Sequence, residues 1–344
     1  MVETDFNSGV QVAREANTNI ASRVFARLGP LLLKLRDLVI LLLTLITLLY
    51  ILLPFAGDPA EVLAGMDATP EQLAAIRAKF GLDRPWYVQY ATYWWNVLHF
   101  DFGISLASGQ PAMDIVLAHL PATLLLASLA MVFTLIVSVP LGAFLGLKTD
   151  NPLPGAVAHF IFYLRRIVEW IVFIFQGFPG FVFGLVLIQI FAVSLQVLPS
   201  IGYGTVDTWI LPTLALASFL VPKLVRVIAV NVTEALREDY IRSARAFGAT
   251  RLEVLWRHAL PNALLGATAL IGTQFAFLLG GTVIIERMFT WPGIGWLLID
   301  RTQTLDYPVV QALALLIAVM VFTVNTVTDL SFRFLDPRLR NSSN

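Results

Sequence analysis

Cysteine is absent from the 344 residues, and charge is scarce: only 13% of positions are Asp, Glu, Lys or Arg. The first absence excludes a disulfide framework and thiolate chemistry. The second sets the chain apart from soluble domains, which average about 25% charged residues. Histidine occurs only at His99, His119, His159 and His258, never at i, i+4 spacing, so the chain offers no metal site of its own. No glycine is followed by lysine, which removes the Gly-x-x-x-x-Gly-Lys-Ser/Thr phosphate loop. A Gly-x-Ser-x-Gly elbow is missing as well, and Ser128 and Ser138 have no histidine nearby in sequence. An intramembrane serine hydrolase therefore has no support. The 23 basic and 23 acidic residues cancel, which argues against a nucleic-acid partner.

What is abundant is apolar surface. Hydrophobic residues make up 58% of the chain, and the mean hydropathy is +0.77. A water-soluble core of this size does not absorb that much, so the composition implies an all-α integral membrane protein. A membrane helix needs roughly 20 apolar residues. Uncharged runs at 38–56, 120–147, 262–285 and 307–328 meet that requirement. Trp170 to Val206 is also uncharged, too long for one span and short for two. Trp209 to Pro222 is a further apolar stretch, with Lys223 and Arg226 expected at its inner end, their heads snorkelling to the interface.

Cytoplasmic loops are enriched in Lys and Arg. If 170–206 holds one span plus an external apolar segment, the chain crosses six times and both termini are cytoplasmic. The inner segments 1–37, 148–166, 223–261 and 330–344 then hold 18 of the 23 basic residues. This divides the chain into an N-terminal tail 1–37, a first span 38–56, an external insertion 57–118, a membrane core 119–329 and a C-terminal tail 330–344. The tail basics Arg14, Arg23, Arg27, Lys34 and Arg36 set orientation and meet anionic lipid. The insertion, with seven acids and three bases, reads as a small subdomain of short helices. Its Trp86, Tyr87, Tyr90, Tyr93, Trp94 and Trp95 suit a membrane interface. Small-residue pairs Gly142/Gly146 and Gly180/Gly184 suit close helix approach.

Intramembrane ionisable groups mark ion or proton paths, and none is expected mid-membrane: Glu169 pairs with Arg165 and Arg166 at a span end, and Asp329 sits at the inner end of the last span. A coupled secondary carrier or channel is the competing class, and it fits this pattern poorly. Gln176, Gln189, Gln274 and Asn325 are the uncharged polar candidates for lining a path, with helix–helix hydrogen bonding as the plainer role of each.

The basic segment 223–261 carries the most local information. It contains Glu234-Ala-Leu-Arg-Glu-Asp-Tyr-Ile-Arg-Ser-Ala-Arg-Ala-Phe-Gly248 and continues to Arg257-His-Ala-Leu260-Pro261. The pattern predicts a short helix, a turn at Gly248, a second short helix capped by Thr250 with Glu253 three residues on, and a stop at Pro261. A loop so structured between spans suits the docking of a cytoplasmic partner. An amphipathic element lying on the membrane surface is the alternative.

This segment resembles the EAA coupling loop of the inner-membrane permeases of binding-protein-dependent ABC importers. In that family a glycine precedes a Leu-Pro pair by 12 and 13 positions, as Gly248 precedes Leu260 and Pro261. Arg242-Ser243-Ala244 stands where the general pattern has Glu-Ala-Ala, and His258 where it has an aliphatic residue. Both departures resemble the dipeptide/oligopeptide/nickel branch. So do Gly57-Asp58-Pro59, Gly81 to Tyr90, Asp101 to Ser105, Leu120-Pro-Ala-Thr, Glu286, Phe289, Trp291-Pro-Gly-Ile-Gly295, Asp306 to Val310 and Asp336-Pro-Arg338.

The resemblance implies the first, B-type permease of a heterodimer in the bacterial inner membrane. Its partners would be a second homologous permease, two cytoplasmic ABC ATPase subunits and a periplasmic or lipid-anchored substrate-binding protein. It implies no enzyme activity and no cofactor on this chain, with ATP and Mg on the ATPase subunits. The implied cargo is peptide, with nickel chelates and oligosaccharides as alternatives. The implied coupling residues are Arg242, Ser243, Ala244, Arg245, Gly248, Ala249, Leu260 and Pro261. The small residues are expected to let the loop approach a groove on the ATPase, with Arg245 at its acidic rim. A β-branched residue at 248 is expected to strain the turn and to clash.

Overall fold

The computed structural model describes residues 29, 32–55, 57–65, 68–147 and 155–335. Most of the tail 1–37, the stretch 148–154 and Asp336–Arg338 lie outside them. Contacts divide the chain into units 1–52 and 53–344. The described part of the first is nearly all of helix α1 (Leu32–Phe55), an uncharged run after Asp37.

The second unit opens with three short helices, α2 (Pro59–Ala64), α3 (Pro70–Phe80) and α4 (Trp86–Leu98). Asp58 caps α2 by accepting from Ala60 N at 2.8 Å, and its other oxygen holds Arg77 of α3 at 2.6 Å. Thr69 and Gln72 form a reciprocal capping box at the start of α3. Spanning segments follow: α5 (Ala112–Gly146), α6 (Ala156–Gly177) with α7 (Gly180–Ser194), α8 (Val206–Ala235), α10 (Arg251–Gly281) and α13 (Tyr307–Leu335). Between them lie α9 (Asp239–Ala246), α11 (Val283–Met288) and α12 (Ile294–Gln303). Five helices are long and apolar enough to cross a membrane, or six with the bent α6–α7 pair as one span. Among the described residues there is no strand, only a lone bridge between Ile104 and Pro111.

The middle of the chain differs from the sequence expectation in three ways. The uncharged run 170–206 is not a straight span. Its helix starts at Ala156, takes in Arg165, Arg166 and Glu169, and bends by 106° at Phe178-Pro179, where proline cannot donate to the preceding turn. Arg165 and Glu169 do pair, at 3.1 Å, but within α6, not at a span end. Arg165 also donates to the Leu145 and Leu147 carbonyls at the end of α5. Helix α8 does not stop at Lys223. It absorbs Pro212 and Pro222 and runs on to Ala235, so Lys223 and Arg226 are interior to it. The second short helix of the basic segment does not stop at Pro261 either. It widens into a π-turn over Val254–Ala259 and continues as α10, with Pro261 in the first turn beyond the π segment.

Helix α8 is central, packed by α5, α6, α7 and α10. The glycine pairs sit at its closest contacts. A Cβ on Gly142 would lie 2.7 Å from Ile228 Cβ, and one on Gly146 would lie 2.8 Å from the Ala229 carbonyl. Gly180 approaches the Ala215 carbonyl of α8 in the same manner. These contacts pair rising numbers on α5 with rising numbers on α8. Ser138 donates to Val221 O, and Thr233 donates to Gly146 O. The two helices are therefore parallel, and the segment between them crosses the bilayer once, bend included. Helix α10 runs antiparallel to α8, with Asn231 donating to Ala263 O and Phe219 against Phe277.

This arrangement predicts a labelling pattern. The native chain has no cysteine, so single cysteines at Ser108, Thr205 and Thr250 report sidedness in intact cells. A reagent confined to one side labels 108 and 205 together and never 250 with them. Labelling of 108 and 205 from opposite sides would contradict the parallel pairing, and joint labelling of 205 and 250 would contradict α8 as a span.

Candidate functional site

Helix α9 ends in a tight reversal. Gly248 N donates to Arg245 O and Ala249 N to Ala244 O, with Gly248 at φ +88°, a left-handed C-terminal cap. Thr250 then caps α10 by accepting from Glu253 N at 3.3 Å. The two helices close on each other through buried Ile241, Val254 and Ala259, with Ala235 of α8. Asn262 donates to Tyr240 Oη and to His258 O, tying α9 to the start of the spanning part of α10. The loop is thus a folded element, not a tether.

Its expected partner-facing residues separate into two groups. Arg242, Ser243, Arg245 and Gly248 are exposed, Arg242 paired with Asp239 at 2.9 Å. Ala244 and Ala249 are half-buried against the loop's own cluster, and Leu260 is buried with Leu224, Ile228 and Ala143. The small size of Ala244 and Ala249 serves the closure of α9 on α10. Pro261 is exposed. A Cβ on Gly248 meets nothing within 4 Å, so the clash expected for larger residues does not occur within this chain. Three apolar residues that the motif reading passed over are exposed here: Phe247 (92%), Leu252 (67%) and Trp256 (53%). These side chains are open to a partner protein or to the membrane surface. The sequence signal for them is weak: Leu252 alone stands between two charged residues, Arg251 and Glu253.

The glutamines do not form one site. Gln176 is exposed on α6 beside the bend, Gln189 is exposed on α7, and Gln274 is half-buried on α10 with Oε1 enclosed and without a hydrogen-bond partner. Asn325 is half-buried on α13. Among the described residues, no group of three or more His, Asp or Glu could hold a metal ion.

A second organised centre went unseen in the residue chemistry. Glu286 is fully buried and accepts four hydrogen bonds: Thr123 Oγ1 at 2.7 Å, Thr282 Oγ1 at 2.8 Å, Gly295 N at 2.8 Å and Trp296 N at 3.0 Å. The last two are free amides at the start of α12, where a carboxylate is favoured. Trp291, also fully buried, donates from Nε1 to Ala122 O, and Ile294 N donates to Thr123 Oγ1. The Trp291–Gly295 turn is therefore riveted to α5. Nearby, buried Asp306 accepts from Ser105 Oγ and Leu106 N and faces Arg301 at 3.6 Å. Together these contacts fix the loop around α12 to the elements that precede it.

Comparison with known proteins adds to this geometry. The family model described as the inner membrane component of binding-protein-dependent transport systems matches residues 138–341. Its N-terminal companion matches residues 31–127. The glutathione transport system permease protein GsiC of Escherichia coli strain K12 is 34% identical over 284 residues, 83% of this chain and 89% of that one. The protein of the same name from Salmonella typhi matches to the same extent. Among solved structures, an inward-facing MetNI methionine ABC transporter chain aligns with a TM-score of 0.54 at 20% identity, covering 65% of this chain and 97% of that one. At that identity the likeness concerns the fold.

Proposed function

The chain belongs to the inner-membrane permeases of binding-protein-dependent ABC importers, in the dipeptide/oligopeptide/nickel branch, and from that membership we propose that the cargo is a di- or oligopeptide. The observation that carries the substrate class is the 34% identity over 83% of the chain to a permease named for glutathione, itself a tripeptide. A membrane path for peptides suits uncharged polar and aromatic walls, since a peptide brings a fully polar backbone.

In this reading a second homologous permease completes the path, and a periplasmic or lipid-anchored binding protein delivers cargo to the side carrying α2–α4 and α12. Two ATPase subunits dock on the other side. The excess of basic residues in the inner segments supports cytoplasmic placement of the 236–250 loop and of both termini. Exposed Phe247, Leu252 and Trp256 supply apolar contact area for the ATPase, and Arg245 supplies an anchor for its acidic rim. Without a phosphate loop on this chain, ATP and Mg belong to the ATPase partners, and this subunit contributes shape change, not bond chemistry.

The substrate class is tested by isolating the binding protein from its native source and weighing what it releases on denaturation. Peptides are expected. A sugar or a nickel chelate would overturn the peptide assignment while leaving the permease role in place.

A further inference from the structure

Lys223 occupies a position that neither its helix nor its neighbours explain. On α10 the run 259–285 carries no charge. The α8–α10 pairing, Phe219 with Phe277 and Asn231 with Ala263, sets Lys223 level with about residue 273, near the middle of that run. From Lys223 the chain needs a further ~13 Å of helix to reach Val232, which contacts Gly146 at the C-terminal end of α5. The ammonium does not reach toward that end. Nζ lies 3.6 Å from the centroid of the Phe219 ring, one turn back along α8. No carboxylate pairs with it among the described residues.

Much of the middle of α8 is covered by α5, α6, α7 and α10. Along one stripe of α8, Phe219 and Lys223 are half-buried and Arg226, Val230 and Glu234 exposed, bordered by Phe277 of α10, which is 54% exposed. A charge at this depth is costly against hydrocarbon and is found where it faces a water-filled cavity or a partner charge. A half-buried cation stacked on an aromatic ring and without a carboxylate partner among the described residues is suited to a transient carboxylate.

We propose that Lys223 binds the carboxylate of the transported peptide partway along the translocation path, with Phe219 orienting the ammonium and Arg226 continuing the cationic stripe inward. This rests on the peptide reading above. It assigns to the permease a selectivity for anionic ends that is separate from the selectivity of the binding protein.

The test is uptake by the complete importer in liposomes, with saturating binding protein, of trialanine and of trialanine amide. Lys223→Met is compared with Lys223→Arg and with the unmodified complex. Uptake of the acid by Lys223→Met is expected to fall about tenfold, uptake of the amide to stay within about twofold, and Lys223→Arg to retain the preference for the acid. Equal loss for acid and amide would show that Lys223 pairs with a carboxylate of the partner permease or serves the fold, and would overturn the proposal. Unchanged uptake of both would overturn it too. Failure of the unmodified importer to take up either peptide would instead overturn the peptide reading itself.

Discussion

Gly248→Val leaves the permease inserted in the membrane and removes most ATP-driven uptake. The substitution touches no spanning helix. It forces a β-branched residue into φ +88°, a cost of about 1–2 kcal/mol. The added side chain meets open space within this chain, so the strain relaxes by opening the α9 turn. That is expected to displace exposed Phe247 and the last turn of α9, the surface proposed above to meet the ATPase. The expected signature is normal membrane abundance with either reduced copurification of the ATPase or retained ATP hydrolysis that no longer drives uptake. An uptake loss of at least about tenfold is anticipated on the proposal that ATPase motion enters the membrane through this turn. Copurification, hydrolysis and uptake all at the unmodified level would remove the coupling role from this turn.

Glu286→Ala is expected to damage the protein itself. It strands the Gly295 and Trp296 amides, deprives the Thr123 and Thr282 hydroxyls of their acceptor and leaves a cavity under the Trp291 turn. Leaving buried donors unpaired in this way costs on the order of 3–5 kcal/mol. For a chain of this size that corresponds to a fall in melting temperature of roughly 5–15 °C. Glu286→Gln keeps an amide oxygen for the backbone donors and an NH2 for the threonine oxygens, so its loss should be several-fold smaller. Thermal unfolding of the purified complex in detergent separates the two. Equal melting for the Ala and Gln variants would contradict the four-donor account.

Much of this was legible beforehand because the bilayer imposes strong rules. Charge-free runs mark spans, and the Gly248 turn with the Thr250 cap followed from residue chemistry that acts over a few positions. Gly142 and Gly146 read as packing residues, and they lie in the tightest contacts of α5 with α8. The misreadings share a cause. Lys223 and Arg226 looked like a helix end because charge usually ends a span, yet α8 is so enclosed that its few open positions tolerate cations. Pro261 looks like a stop in sequence, but it falls in the first turn beyond the π segment, where a missing N–H is tolerated. Ala244 and Ala249 were assigned outward by analogy with the loop, whereas only three-dimensional packing reveals that they face Ile241 and Val254. Glu286 belongs to a recognisable motif, but its partner Thr123 stands 163 positions away, and no local pattern announces such a pair.

The central claim is that this chain converts the motion of ATPase partners into passage of a peptide. The most direct measurement is uptake of radiolabelled peptide by proteoliposomes holding both permeases, the ATPases and the binding protein, with ATP or a non-hydrolysable analogue enclosed. The account predicts accumulation against a gradient with ATP and none with the analogue. Equal uptake under both conditions would contradict it, because the path would then open without the coupling loop.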